Sequence, residues 1–471
     1  MKTALIIPAA RIVSDFEINT LSKFRELTPG VTFFLVQIGR SAPENAGEFE
    51  RTISLPLEES QVDAASCIGM QLALNEGFTS VGTLRSLTSV DLAVSAKVLR
   101  ELEEGSSDVV VVRQAGRSDG TLFVSQRAAF ACSFWQALSK DLIDDRLDIV
   151  HQLCQLTNRT LHVVTEKIVG TMRPYVPRYG TNVALAKHAS ALSRLIGIRI
   201  GGWWAPKSSP VSKVAVITPY YKEPASELER CLVSVRNQTY PCDHFMISDG
   251  FPSEAVDQSR AIHIKLGVGH SDNGNTPRYV GGLVALAGGY DAIAYLDADN
   301  WFESNHIQTL IETQHRTHAN AVCSLRNIYL PDGYKLPDCD REDLLRLHVD
   351  TSCYLLTHDC EYIAHLWGQM PQSWGPVCDR IVFSALQGMN LAWTDQRTLN
   401  FKSNYAAHYR KASRPVPEKT HDIPEGLWRK LLRANRETAA IATSRMGRII
   451  EIVNPYRGQQ AAARLRNANA L

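Results

Sequence analysis

The sequence predicts an α/β protein of two tandem, Rossmann-like units with mostly parallel sheets, followed by a helical C-terminal extension. Three observations carry that prediction. Short Val/Ile-rich runs alternate with longer segments of helical character, the order that builds a parallel sheet with covering helices. The whole alternation is written twice at a nearly constant offset. At 471 residues the chain is also too long for one core, and two domains of about 200 residues are expected.

The elements follow in order. The start, "MKTALIIPAARIVSDFE", lacks a full apolar h-region and a small-residue cleavage site, so it reads as a first strand and not as a leader. Ala73 to Ser89, "ALNEGFTSVGTLRSLTS", lies over Ala285 to Trp301, "ALAGGYDAIAYLDADNW", at an offset of 212. Upstream the offset is 211, setting Pro8 on Pro219, Leu21 on Leu232, Phe34 on Phe245 and Gly39 on Gly250. Downstream it becomes 232, setting Phe130 and Trp135 on Tyr362 and Trp367, with a polar insertion, Tyr329 to His348, absorbing the change. In the second copy "KVAVITP", "DHFMISDG" and "AIAYLDAD" read as buried strands. The segments "ELERCLVSVRNQ" and "ESNHIQTLIETQHRT" read as their covering helices. The expected organisation is a domain over 1–186, a linker over 187–212, a second domain over 213–412 and a helical extension over 413–471.

Composition narrows the function class. A formal net charge of +1 predicts no broad nucleic-acid footprint, and no apolar run is long enough to span a bilayer. Ten cysteines without a CxxC pair fit free thiols in a reducing cytoplasm, where the protein is expected to reside.

The chemistry concentrates where "AIAYLDADNWFE" leaves its strand, with Asp297 and Asp299 one residue apart. Open α/β sheets bind ligands beyond the carboxyl ends of their strands. Two carboxylates this close need a cation, and a hard divalent ion suits their oxygens and completes its shell with phosphates. A strand-end Asp-x-Asp therefore suggests Mg²⁺ or Mn²⁺ bridging to a diphosphate; a solvated turn is the plainer reading.

Around this pair, Val214 to Tyr409 resembles the family 2 glycosyltransferases of the GT-A fold. "ITPYYKEP" matches that family's first loop in Pro219, Tyr221 and Glu223, with Lys222 in place of Asn. "ISDG" keeps Asp249, and "DNGNTPRYVGG" keeps Arg278 with Tyr279 in place of Asn. The resemblance implies that Pro219, Tyr221, Glu223 and Asp249 hold the nucleoside, and that Arg278 supports its pocket or the diphosphate. It further implies Asp297 at the ribose or donor sugar and Asp299 on the metal. Arg278 as a surface ion pair is the competing reading. In "PVCDRIVFSALQG", Asp379 stands where the family places the base that deprotonates the acceptor hydroxyl, although Cys378 replaces the usual Glu. A helix-opening Asp also serves as a plain cap. His408 in "NYAAHYR" resembles a late metal ligand of GT-A enzymes; a structural histidine is the alternative.

The first copy has Ile38 at the position of Asp249, Arg85 and Leu87 at those of Asp297 and Asp299, and Arg178 at that of His408. It reads as a degenerate copy without a donor site. The expected activity is inverting, metal-dependent transfer from a nucleotide-diphospho-sugar to a glycan or glycolipid acceptor, in surface or capsular glycan assembly. The alternatives are a sugar nucleotidyltransferase, disfavoured because "TPYYKEPASELE" has no glycine, and a non-catalytic binding scaffold, disfavoured by the one-sided retention of carboxylates. In the tail, 426–453 reads as a basic amphipathic helix, packed between domains or in a homo-oligomer, or laid peripherally on the inner face of a membrane.

Overall fold

The computed structural model describes residues 3–9, 13, 15–39, 46–83, 109–113, 120–125, 161–165 and 210–422, apart from 339, 371, 387 and 388. Arg85, Leu87, Phe130, Trp135, Arg178 and the expected tail helix lie outside the described residues. The chain divides into two compact units, Met1–Ile200 and Gly201–Leu471.

The first unit holds a seven-stranded sheet of β1 (Thr3–Ala9), β2 (Val31–Ile38), β3 (Arg51–Leu55), β4 (Ser80–Thr83), β5 (Val109–Arg113), β6 (Gly120–Ser125) and β7 (Leu161–Thr165). Its order is β3-β2-β1-β4-β6-β5-β7. The second unit holds β8 (Val214–Tyr220), β9 (Asp243–Asp249), β10 (Ile262–Leu266), β11 (Ala292–Tyr295), β12 (Trp301–Phe302), β13 (Ala321–Tyr329), β14 (Tyr354–Thr357) and β15 (Leu391–Lys402). Its order is β10-β9-β8-β11-β14-β13-β15-β12. With the two-residue β12 set aside, the two sheets have the same strand order. The directions agree as well: only β6 and its counterpart β14 run antiparallel to their neighbours.

Pairing registers agree residue by residue. Pro8 faces Val36, and 211 residues on Pro219 faces Ile247. Thr3 faces Ser80 as Val214 faces Ala292, and Ser80 faces Ser125 as Ala292 faces Thr357. Val109 faces Leu161 as Ala321 faces Leu391. A one-residue slip would turn a strand inside out, so register is fixed wherever faces are buried. Helix packing agrees too. A Cβ at Gly69 would lie 2.6 Å from Ile6 Cγ2 and 2.7 Å from Val36 Cγ2; at Gly281 it would lie 2.6 Å from Ile247 Cδ1 and 2.7 Å from Ile217 Cγ2. In both units a glycine lets a helix sit down on the first two strands.

Local sequence explains the elements of the second unit. Every residue of β8 is buried, as the uninterrupted apolar run requires of a central parallel strand. The helix Ala225–Arg236 buries Leu228, Cys231, Leu232 and Val235, one face at helical spacing. Each fully buried aliphatic side chain contributes about 1.5–3 kcal/mol. The helix Asn275–Ala287 is buried along nearly its whole length, which its small and apolar residues permit. Helix His306–Thr317 starts three residues later than its apolar pattern suggests, because Trp301 and Phe302 pair with β15. Residues 413–422 stay attached to this unit: His421 bridges Tyr405, and its carbonyl accepts from the Ala406 N–H at 2.9 Å. Among the described residues no helix is long and apolar enough to cross a membrane.

Candidate active site

Strands β8, β9 and β11 are neighbours, and their carboxyl ends deliver Pro219, Asp249 and Asp297 to one edge of the sheet. After β8 the chain turns sharply, and Glu223 Oε2 accepts from the Tyr221 N–H at 2.6 Å. Burial raises the Glu223 carboxyl, and the charges of Asp297 and Glu227 raise it further. Tyr221 and Phe251 are exposed and meet edge-on at 4.7 Å between ring centroids; Lys222 Nζ lies 4.0 Å from the Phe251 ring centre. An aromatic and cationic lip thus stands over the end of β8.

Asp249 is differently placed. It is buried and its carboxylate accepts from the His270 N–H at 3.0 Å and the Ser271 N–H at 3.4 Å, with His270 Nδ1 2.6 Å away. The turn that follows is tight. Gly250 has φ +83°, and a Cβ there would lie 2.4 Å from the Gly269 nitrogen, so only glycine fits. Asp249 therefore ties the β9 turn to the 269–271 loop.

At the exit of β11 the two aspartates part company. Asp297 is half-exposed and ion-paired with Arg278, whose other guanidinium nitrogen donates to the Asn273 carbonyl at 2.7 Å. Arg278 is buried over the Trp367 ring, so the pair is buried on its arginine side and open to solvent at Asp297. The Asp297 N–H donates to Ser352 Oγ at 3.1 Å, and the Asp297 carbonyl accepts from the Asn300 N–H at 2.9 Å, which closes the turn. Asp299 has no such counter-charge of its own. Burial pushes its carboxyl up to about 7, with Asp297, Asp350 and Glu227 adding like-charge repulsion and Lys402 opposing. Lys402 is itself paired with Glu227.

Asp379 opens the helix Cys378–Leu386. Its Oδ1 accepts from the Arg380 N–H at 2.7 Å, and its Oδ2 lies 3.1 Å from His348 Nε2. Burial would raise this carboxyl, but His348 and Arg380 outweigh it and hold it down at about 2. Arg380 also forks onto Glu342 at 3.1 and 2.8 Å. Asp350 is buried, caps the short turn that follows it by accepting from the Ser352 N–H at 2.9 Å, and feels the charges of both Asp297 and Asp379. Hence the strand-end aspartates and Asp379 lie within electrostatic reach of one buried carboxylate.

His408 occupies a separate network. Its Nε2 pairs with Asp340 at 2.9 Å and its Nδ1 with Ser403 Oγ. Asp340 in turn accepts from Arg326 at 3.1 Å, and Arg326 also donates to Asp343 at 3.0 Å. Service on a metal at Asp299 would require His408 to exchange its Asp340 bond.

The donor set around Asp297 and Asp299 is all oxygen, and Asp299 sits in an excess of negative charge, which suits a hard divalent ion. Among the described residues no three His, Cys, Asp or Glu side chains converge as a closed metal cage. One or two carboxylates, with phosphate oxygens and water completing the shell, is the usual pattern for Mg²⁺.

Residues 215–365 match the family model described as Glycosyl transferase family 2. The second unit thus contains a family 2 glycosyltransferase domain at these residues. Solved structures that the chain matches include S. aureus TarS 1–349 in complex with UDP, at 11% identity over 42% of this chain and 63% of that one, with a TM-score of 0.33. The complex of TarS 1–349 with UDP-GlcNAc gives 12% identity over 50% of this chain and 72% of that one, with a TM-score of 0.35. GalNAc-T7 with UDP, GalNAc and Mn²⁺ gives 14% identity over 50% of this chain and 58% of that one, with a TM-score of 0.32. The chain spans less than two thirds of the first of these. No curated protein sequence matches it.

Sequence reasoning missed His348, Asp350, Arg326 and Glu342. The first two flank the end of the polar insertion, in "LHVDTSC", which matches no motif. A His and an Asp at the close of an insertion beside the Asp-x-Asp strand is the one signal that was available.

Proposed function

We propose that the second unit is an inverting, metal-dependent transferase that moves a sugar from a nucleotide-diphospho-sugar to a hydroxyl of a glycan or glycolipid, in surface or capsular glycan assembly. The observation that carries this is the division of labour at the end of β11. Asp297 is neutralised by Arg278, whereas Asp299 is left among carboxylates and calls for a cation. Pro219, Tyr221 and Glu223 line the nucleoside end, with Asp249 bracing the loop beside it. Asp299, with Asp297 beside it, would hold Mn²⁺ or Mg²⁺, which when bound neutralises charge on the departing diphosphate. Asp379 takes the proton of the acceptor hydroxyl as that oxygen attacks the anomeric carbon, and a single in-line displacement inverts the centre.

The first unit, in this reading, is a degenerate copy of the same fold. Shared strand order, shared register and the Gly69/Gly281 pair support descent from one unit. Ile38 occupies the strand end where Asp249 stands, and is buried as a plain core residue. Domain limits of 1–186 and 213–412, a cytoplasmic location and peripheral or oligomeric contact through 426–453 complete the proposal.

The test is a panel of uridine, thymidine, guanosine and cytidine diphospho-sugars, without metal and with Mn²⁺ or Mg²⁺, read by thermal shift and donor hydrolysis on the full chain. One base class should stabilise the protein only when metal is present. Failure of every donor in both Mn²⁺ and Mg²⁺ would overturn the reading.

A further inference from the structure

We propose that His348 is the positioning residue of the Asp379 base. The inference rests on the reading of Asp379 as the base, and it adds a residue to that site.

The geometry comes first. His348 closes the insertion that follows β13, and its side chain is only 6% exposed. Its Nε2 lies 3.1 Å from Asp379 Oδ2, and its Nδ1 lies 3.9 Å from Glu342 Oε2. The ring is clamped edge-on against Phe383 at 5.5 Å, one helical turn beyond Asp379. Neither ring nitrogen completes a well-formed hydrogen bond within the protein. Packing thus fixes the plane of the imidazole, while its tautomer is left open.

The charges around it favour an ionised Asp379. Asp379 and Glu342 present carboxylates to the ring nitrogens, the charge of Asp343 is also felt there, and Arg326 and Arg380 balance these carboxylates. A carboxylate held as low as Asp379 aligns a hydroxyl well but retains its proton poorly at neutral pH. The step balances simply. The acceptor O–H proton moves to Asp379 Oδ2 as the new glycosidic bond forms and the bond to the diphosphate breaks. When the product leaves, the proton on Oδ2 passes to solvent, to which the Asp379 side chain is 33% exposed. The cycle returns Asp379 to its ionised state for the next acceptor.

The experiment uses the full chain as wild type, His348→Gln, His348→Ala and Asp379→Asn. Carboxyl-carbon NMR of labelled aspartate follows Asp379 without any donor. In His348→Gln its protonation midpoint should rise by at least one pH unit, a tenfold weaker hold on the ionised form. Hydrolysis of the same diphospho-sugar panel should show kcat down ten- to a hundredfold with donor KM unchanged, and added imidazole should restore part of the rate in His348→Ala. An unmoved Asp379 midpoint, or unaltered kcat in both His348 variants, overturns the inference. If Asp379→Asn turns over normally, the base reading itself fails, whichever way the His348 results fall.

Discussion

Arg278 pairs with Asp297 and leaves Asp299, two residues on, facing like charges. One turn therefore holds a carboxylate satisfied by the protein and a carboxylate that is not. The difference follows from position. Asp297 reaches the first turn of the helix Asn275–Ala287, where Arg278 is held by the Asn273 carbonyl. Asp299 instead shares a pocket with Glu227 and with the lysine that Glu227 already holds. A ligand that brings positive charge is favoured at the second carboxylate far more than at the first.

Asp299→Asn should accordingly abolish Mn²⁺-dependent nucleoside diphosphate binding and leave the fold intact. The pH dependence has a definite sign. The folded carboxyl sits near 7 and the unfolded one near an ordinary aspartate, about 3.9, so the folded state binds more protons between those values. Without metal, this group's contribution to stability is present below about pH 4 and is lost as pH rises to 7. Metal binding runs the other way and tightens up to about tenfold per pH unit below 7, since the ion competes with the proton. Thermal melts and calorimetry from pH 5 to 8, wild type against Asp299→Asn, check both slopes. Equal Mn²⁺ affinity in the two proteins would falsify the assignment.

Asp379→Asn should lower turnover by about 10²- to 10⁴-fold, the usual loss for a general base, while donor affinity stays near wild type. The base acts on the acceptor, so its removal belongs in kcat. Single-turnover kinetics with saturating donor separates the two quantities. Normal turnover in the Asn variant would reduce Asp379 to a helix cap.

Strands β8, β9 and β11 were legible because each is a buried apolar run leading to Pro219, Asp249 or Asp297, and the repeat offsets agree with the registers that the strands adopt. Legibility ended at long-range charge. Arg326 meets Asp340 and Asp343, and Glu342 meets Arg380 across 38 positions, and none of these pairs has a period in sequence. The insertion from Tyr329 to His348 looked like a polar loop, yet it carries a short helix and ends in the ring that faces Asp379. His408 shows the same limit, since its motif gives no sign that its ring nitrogens meet Asp340 and Ser403.

Gly69→Ala and Gly281→Ala should each destabilise their own unit by about 1–3 kcal/mol, the usual cost of overpacking a tight core. Either Cβ would meet branched side chains on two adjacent strands at under 3 Å, and a β-branched residue has little rotamer freedom to yield. Chemical denaturation monitored by hydrogen exchange resolves the two units. A neutral or stabilising effect at either position would show that the helix lifts without penalty.

The last prediction concerns the first unit, which should bind no nucleotide sugar even when its missing carboxylates are restored. The differences from the second unit are spread over the chain: Ile38 for Asp249, Arg85 for Asp297, Leu87 for Asp299 and Arg178 for His408. Each removes a different contact, to the loop brace, to the donor or to the metal. Groups that act together lose function together, and restoring two of them recovers little. Pro8 also enters "PAARIVSD", which has no counterpart of Tyr221 or Glu223. The decisive background is Asp299→Asn in the full chain, where the second unit's metal site is silenced and any remaining metal-dependent binding must come from the first. Adding Arg85→Asp and Leu87→Asp to that background should leave calorimetric titrations with the diphospho-sugar panel and Mn²⁺ flat. Saturable binding at micromolar concentration in either protein would instead make the first unit a second donor site.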